Sequence, residues 1–176
     1  MTPAPTVTDG HRRSRQANGF YRIDGFAPLE VGLAMLADVV GLARAADGSV
    51  AADGTLVLPE AYLADSGSDA PAEQVTSKVF KLHRRPAFSS FVARPDVVDV
   101  LVDGLGPDVD CFLSQFIFKN PGAWGQPWHQ DSFYFPFEPA RPVVGLWLAV
   151  TEATLANGCL HVLPGSHAEP VNEHVP

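Results

Sequence analysis

The chain has 176 residues, of which 46% are hydrophobic, and a net charge of −8 with an isoelectric point near 5.0. That length suits one globular domain, and the acidic balance excludes a general binder of nucleic acid or anionic membrane. No apolar run approaches the roughly 20 residues needed to span a bilayer. No apolar segment near Met1 reads as a signal peptide. Cys111 and Cys159 lack metal-type spacing, so a reduced cytoplasmic protein is expected.

Residues 1–18 are rich in Pro, Thr, Arg and Gly and read as a flexible tail, its basic run at His11–Arg15 solvated. One domain is expected over residues 19–176. Residues 18–23 resemble a short strand before a turn at Asp24-Gly25. Pro28 then opens a helical pattern through Ala46, with Leu29, Leu33, Leu36, Val40 and Ala43 or Ala37 on one face. Residues 47–74 carry many Gly, Asp, Ser and Pro around a brief Leu56-Val57-Leu58 run. They read as a surface insertion with little structure of its own.

Residues 75–82 suit either a helix or a strand. Two short helices are expected at 86–93 and 96–105, the second opened by Pro95, ended by glycines and buried through Val97, Val98, Leu101, Val102 and Leu105. The period then falls to two. Strands are expected at 112–118, 128–135, 143–150 and 159–163, separated by Asn120-Pro121-Gly122, residues 136–142, Asn157-Gly158 and Pro164-Gly165-Ser166. Short strands after an N-terminal helical part predict a mainly β chain, a jelly roll with helices packed outside. A jelly roll needs eight strands, and about four are visible.

The chemistry concentrates in Trp128-His129-Gln130-Asp131-Ser132-Phe133-Tyr134. On a strand, His129 and Asp131 project from one face. They make two thirds of the 2-His-1-carboxylate triad that holds non-haem Fe(II) with open positions. By spacing alone a hydrogen-bonded surface pair is the commoner meaning of His-x-Asp. His161, His167 and His174 are less suited to complete the site, being a strand, a turn and a terminal histidine respectively. His83 in Lys81-Leu82-His83-Arg84-Arg85 reads as solvated, with contact of the Lys/Arg cluster to an anionic substrate such as a CoA phosphate as the alternative.

Residues 126–134, together with Asn157-Gly158-Cys159-Leu160-His161-Val162-Leu163-Pro164-Gly165-Ser166-His167, resemble the phytanoyl-CoA dioxygenase family. The resemblance extends from about Val75 onward. It implies an Fe(II)- and 2-oxoglutarate-dependent oxygenase on a double-stranded β-helix, the cupin-like jelly roll, acting with O2 on a small organic or acyl-CoA substrate. His129 and Asp131 would be iron ligands. Gln130, Trp147 and, more loosely, Lys78 would hold the cosubstrate. The family's second histidine and the basic residue that pairs with 2-oxoglutarate would fall beyond Pro176, so the C-terminal half of the barrel is expected to be missing. Exposed strand edges would then allow oligomerisation, and no membrane or nucleic-acid partner is expected. The alternatives are a catalytically inactive β-sandwich remnant or binding module, and a cupin-like protein using another divalent metal.

Overall fold

The computed structural model describes residues 6–64, 69–139 and 141–173, apart from the side chains of Tyr62 and Ala64. The first helix, α1 (Asp9–Asn18), falls where a flexible tail was expected. Thr8 caps it: its Oγ1 accepts from the His11 amide at 3.2 Å, while its own amide donates to His11 Nδ1 at 3.1 Å. Gly19 ends it in the left-handed conformation at φ 86°, its amide donating to the Arg15 carbonyl. Arg12 and Arg15 anchor the helix to Asp103, at 2.7 and 3.2 Å. Local caps and two long-range ion pairs therefore order residues whose composition alone suggested solvation. The short strand expected at 18–23 is absent.

Helix α2 (Leu29–Ala45) matches its predicted span, and its predicted face only in part: Ala43 is buried and Leu36 packs on the core. Gly32, Met35, Val39 and Ala43 are buried, whereas Leu29 and Leu33 are 72% and 52% exposed. Both stripes have helical spacing, because the helix is apolar nearly all round. Packing chose between them.

The supposed insertion contributes a strand. β1 (Leu56–Pro59) pairs antiparallel with β2 (Thr76–Phe80), Val57 opposite Val79, with a shift in register between Leu58 and Pro59. A helical turn, α3 (Ala61–Ala64), follows β1. Helices α4 (Pro86–Val92) and α5 (Pro95–Leu105) each begin at a proline, where the missing amide costs no helical hydrogen bond. Strand β3 (Gln115–Ile117) completes a three-stranded sheet in the order β1-β2-β3, with Val79 opposite Phe116.

Alternation sorts the sheet's two faces. Val57, Val79 and Phe116 face a core of Met35, Val39, Leu82, Phe88, Phe91 and Val97. Leu58, Lys78 and Ile117 are aligned across the three strands on the other face. Arg85, just before α4, ties that helix's start to α2, donating to both Asp38 oxygens at 2.6 and 2.7 Å and to Asp53 at 3.0 Å.

The strands expected at 128–135, 143–150 and 159–163 are not formed, and β3 is shorter than the predicted 112–118. Among the described residues helix outweighs strand, against the expectation of a mainly β chain. A strand exists only through a ladder with a neighbour. These apolar segments have no ladder partner among the described residues. No described helix is long and apolar enough to cross a membrane.

Arg44 of α2 pairs with Glu73 in the turn before β2. The guanidinium, helped by a backbone amide, lowers the Glu73 carboxyl from 4.5 to about 2. A depressed folded value gives stability that is present above the unfolded value and lost as pH falls through the folded one. Stability should therefore decline between about pH 5 and pH 2. In Arg44→Gln that part of the decline should be shallower. Urea midpoints across this range measure it, and parallel curves for the two proteins would refute the pairing.

Candidate functional site

His129 and Asp131 do not lie on a strand. His129 ends an irregular loop, and Asp131 is the first residue of a single helical turn, α6 (Asp131–Tyr134). They are nevertheless brought together, with His129 Nε2 at 3.5 Å from Asp131 Oδ1. The imidazole side chain is 26% exposed and the carboxylate 56%.

The ring's other nitrogen fixes its orientation. His129 Nδ1 lies 2.8 Å from the Pro127 carbonyl. A carbonyl only accepts, so Nδ1 carries a proton and donates it, which directs Nε2 toward the carboxylate. Metal-binding histidines use this arrangement, with one nitrogen donating to a backbone carbonyl and the other binding the ion. Two donors bound at right angles, with bonds of about 2.1 Å, stand about 3 Å apart. A separation of 3.5 Å needs only a small adjustment, and an imidazole–carboxylate pair suits Fe(II) and its neighbours in the first transition row. The residues present therefore fit two positions of the implied iron site. Among the described residues, no group of three or more His, Cys, Asp or Glu is placed to hold a metal.

The Tyr134 ring meets His129 edge-on, with centroids 5.6 Å apart. Gly145 comes close to the carboxylate: a methyl group built there would lie 3.8 Å from Asp131 Oδ2. Its place in an apolar stretch was the available signal for this approach, because glycine inside a strand-like run often marks close packing.

Gln130, Trp147 and Lys78 are the residues that the resemblance implies for the cosubstrate. Gln130 Oε1 accepts from the Asn172 amide at 2.7 Å, and its Nε2 donates to the Pro170 carbonyl at 3.3 Å. Trp147 is half exposed. Lys78 stands in mid-strand and donates to Gln126 Oε1 at 2.9 Å. Gln126 leads directly into Pro127 and His129.

The other histidines are engaged elsewhere. His161 lies 3.9 Å from Cys159 Sγ, and its ring meets Trp128 at 6.5 Å. His174 lies outside the described residues. His83 contacts Ser114 Oγ and Arg85 binds Asp38 and Asp53, so these two are engaged within the fold, while Lys81 and Arg84 are exposed, Arg84 donating to the Asp53 carbonyl.

His167 docks on α1. Its Nε2 donates to the Gln16 carbonyl at 3.2 Å, and the Gly165 amide donates to Asn18 O at 3.0 Å. These contacts satisfy carbonyls at the end of α1. A methyl group on Gly19 would stand 2.6 Å from His167 Nδ1, at a φ unfavourable for L residues. Gly19→Ala should therefore lose about 1–2 kcal/mol from the backbone alone and release the 164–168 segment. Hydrogen exchange at Gly165 reports it; unchanged protection would refute the docking.

Asn157 closes the turn before Cys159 through its side chain. Oδ1 accepts from the Thr154 amide at 2.7 Å, and Nδ2 donates to the Glu152 carbonyl at 2.8 Å. It is a structural residue, in a turn that no flanking strands extend.

The sequence profile of the phytanoyl-CoA dioxygenase (PhyH) family matches residues 16–176. Among curated proteins, the chain is 31% identical over 125 residues to the rat "Phytanoyl-CoA dioxygenase, peroxisomal", covering 69% of this chain and 37% of that protein. It is 38% identical over 110 residues to rat "Phytanoyl-CoA dioxygenase domain-containing protein 1", covering 60% and 37%. It is 33% identical over 102 residues to a "Probable phytanoyl-CoA dioxygenase" of Caenorhabditis elegans, covering 54% and 33%. The match spans about a third of each relative's length. No solved structure matches the chain significantly. The family's fold is the cupin jelly roll, with which a small antiparallel sheet and packed helices are consistent. Because the family profile covers nearly all of the sequence, this chain belongs to the phytanoyl-CoA dioxygenase family, a family of dioxygenases.

Proposed function

We propose that the chain serves Fe(II)- and 2-oxoglutarate-dependent oxidation of a small organic or acyl-CoA substrate, with His129 and Asp131 as two of the metal ligands. The observation that carries this reading is the 3.5 Å approach of His129 Nε2 to Asp131, with the ring held by the Pro127 carbonyl. Bound iron supplies the chemistry that couples dioxygen and 2-oxoglutarate to oxidation of the substrate. The protein's part is to fix the ring, offer one carboxylate beside it and keep the approach at Gly145 open. Any side chain at Gly145 would enter the space beside Asp131 Oδ2. Lys78 lies on the sheet face that adjoins the loop leading to His129, where it donates to Gln126. The third ligand and the partner of the far cosubstrate carboxylate are assigned to no residue of this chain.

Paramagnetic broadening tests the site without requiring turnover. Substoichiometric Mn(II) should first broaden the resonances of His129, Asp131 and Gly145. Broadening centred on another set of residues would refute the assignment. Oxygenase chemistry itself predicts Fe(II)-dependent release of succinate from 2-oxoglutarate, absent in His129→Ala.

A further inference from the structure

A groove of about 210 Å³ lies on the sheet face opposite the core. Lys78 of β2, Ile117 of β3 and Lys119 form its floor, and Trp124, Gln126 and Pro127 form its wall. Its far end is Pro127, whose carbonyl holds the His129 ring. The groove therefore adjoins the proposed metal site.

Its charge runs against that of the whole chain. The net charge is −8, yet two of the three lysines stand here. Six arginines are paired with carboxylates: Arg12, Arg15, Arg22, Arg44, Arg85 and Arg94. Neither groove lysine has a carboxylate partner among the described residues. Lys78 binds the neutral Gln126 amide. Glu60 also lines the groove, leaving its balance positive by one charge.

Lys119 is held by its stem. A methyl group on Gly158 would lie 3.5 Å from Lys119 Cδ, so the methylenes run along the turn that Asn157 closes. A stem laid on backbone keeps the ammonium in a limited region. Trp124 is 74% exposed and offers an apolar wall beside it. The open groove has room for an oxyanion group with a few adjoining carbons.

We propose that this groove seats the oxyanion end of a small organic substrate, with Lys119 as the specificity-determining cation and Trp124 covering the adjoining carbons. The inference rests on the oxygenase reading, because it places the substrate's reacting end toward His129. It favours substrates that carry an oxyanion within a few carbons of the reacting end.

Titration of the full chain with hexanoate at low salt, followed by tryptophan emission, tests it. A saturable change is expected, mostly lost in Trp124→Phe. Lys119→Gln should weaken binding roughly tenfold or more, because a charge-assisted hydrogen bond is lost, and Lys119→Arg should retain it. His129→Ala should bind hexanoate normally, so failure of the metal site and failure of the groove can be told apart. Inorganic phosphate should bind more weakly than hexanoate, since it leaves Trp124 uncovered. Phosphate binding as tight as hexanoate, or wild-type affinity in Lys119→Gln, would overturn the proposal. So would metal-free competition by 2-oxoglutarate at equal affinity, which would make this the cosubstrate's seat.

Discussion

Replacing Leu82 with alanine is expected to remove about 2–5 kcal/mol of unfolding free energy. Leu82 is fully buried among Met35, Val39, Val79, Phe88, Phe91 and Val97. It sits in the tight turn after β2, next to Lys81, whose backbone is left-handed at φ 63°. A turn fixed at both ends has little freedom to collapse into the space left by three lost carbons, so the cavity cost adds to the transfer cost. Against the ~5–15 kcal/mol that usually separates folded from unfolded domains, the loss is large. Urea unfolding measures it. Leu29→Ala is the control, because that side chain is mostly exposed and should change stability by less than about 0.5 kcal/mol. The comparison of Val39→Ala with Leu33→Ala is equally informative. If the stripe through Leu33 faced the core, Leu33→Ala would cost more. With Gly32, Met35, Val39 and Ala43 buried, Val39→Ala should cost more.

Loss of either proposed metal ligand should have the larger effect on function. Changing a group that merely orients a ligand commonly lowers metal affinity about 10–100-fold. Removing the ligand itself should exceed roughly 100-fold, so His129→Ala and Asp131→Ala should each abolish measurable binding. Asp131→Asn keeps the shape but loses the charge, and should fall with them. His161→Ala should bind normally, because that histidine is turned toward Cys159 and Trp128. The free Mn(II) signal in electron paramagnetic resonance gives the bound fraction directly. Wild-type affinity in the His129→Ala, Asp131→Ala double variant would end the assignment. Affinity should rise from Mn(II) to Co(II) along the usual order of divalent ions, so affinity alone does not identify the resident metal.

The parts of this protein legible in its sequence are those decided within a few residues. Prolines at helix starts marked α4 and α5, and the apolar periodicity from Leu29 marked α2. The His129 and Asp131 motif, with the 157–167 segment, was sufficient to indicate the family that the profile match shows. A two-residue spacing also kept imidazole and carboxylate within reach of each other, whether the backbone was a strand or, as found, a loop entering a helical turn.

What only the tertiary structure decided depends on partners distant in the chain. α1 is held by Asp103, 91 residues beyond Arg12, and no local pattern announces such a pair. β1 looked like loop because four residues form a strand only when β2 lies alongside. The buried face of α2 was ambiguous because nearly every face is apolar, and the sheet and α4 selected one. Gln130 was engaged by residues 170–172. Local sequence thus marked the starts of α2, α4 and α5 and the residues of the candidate site. Long-range pairing determined which segments are strands, which faces are buried and which cations remain available, because hydrogen-bond ladders, packing and ion pairs are each completed by a second segment.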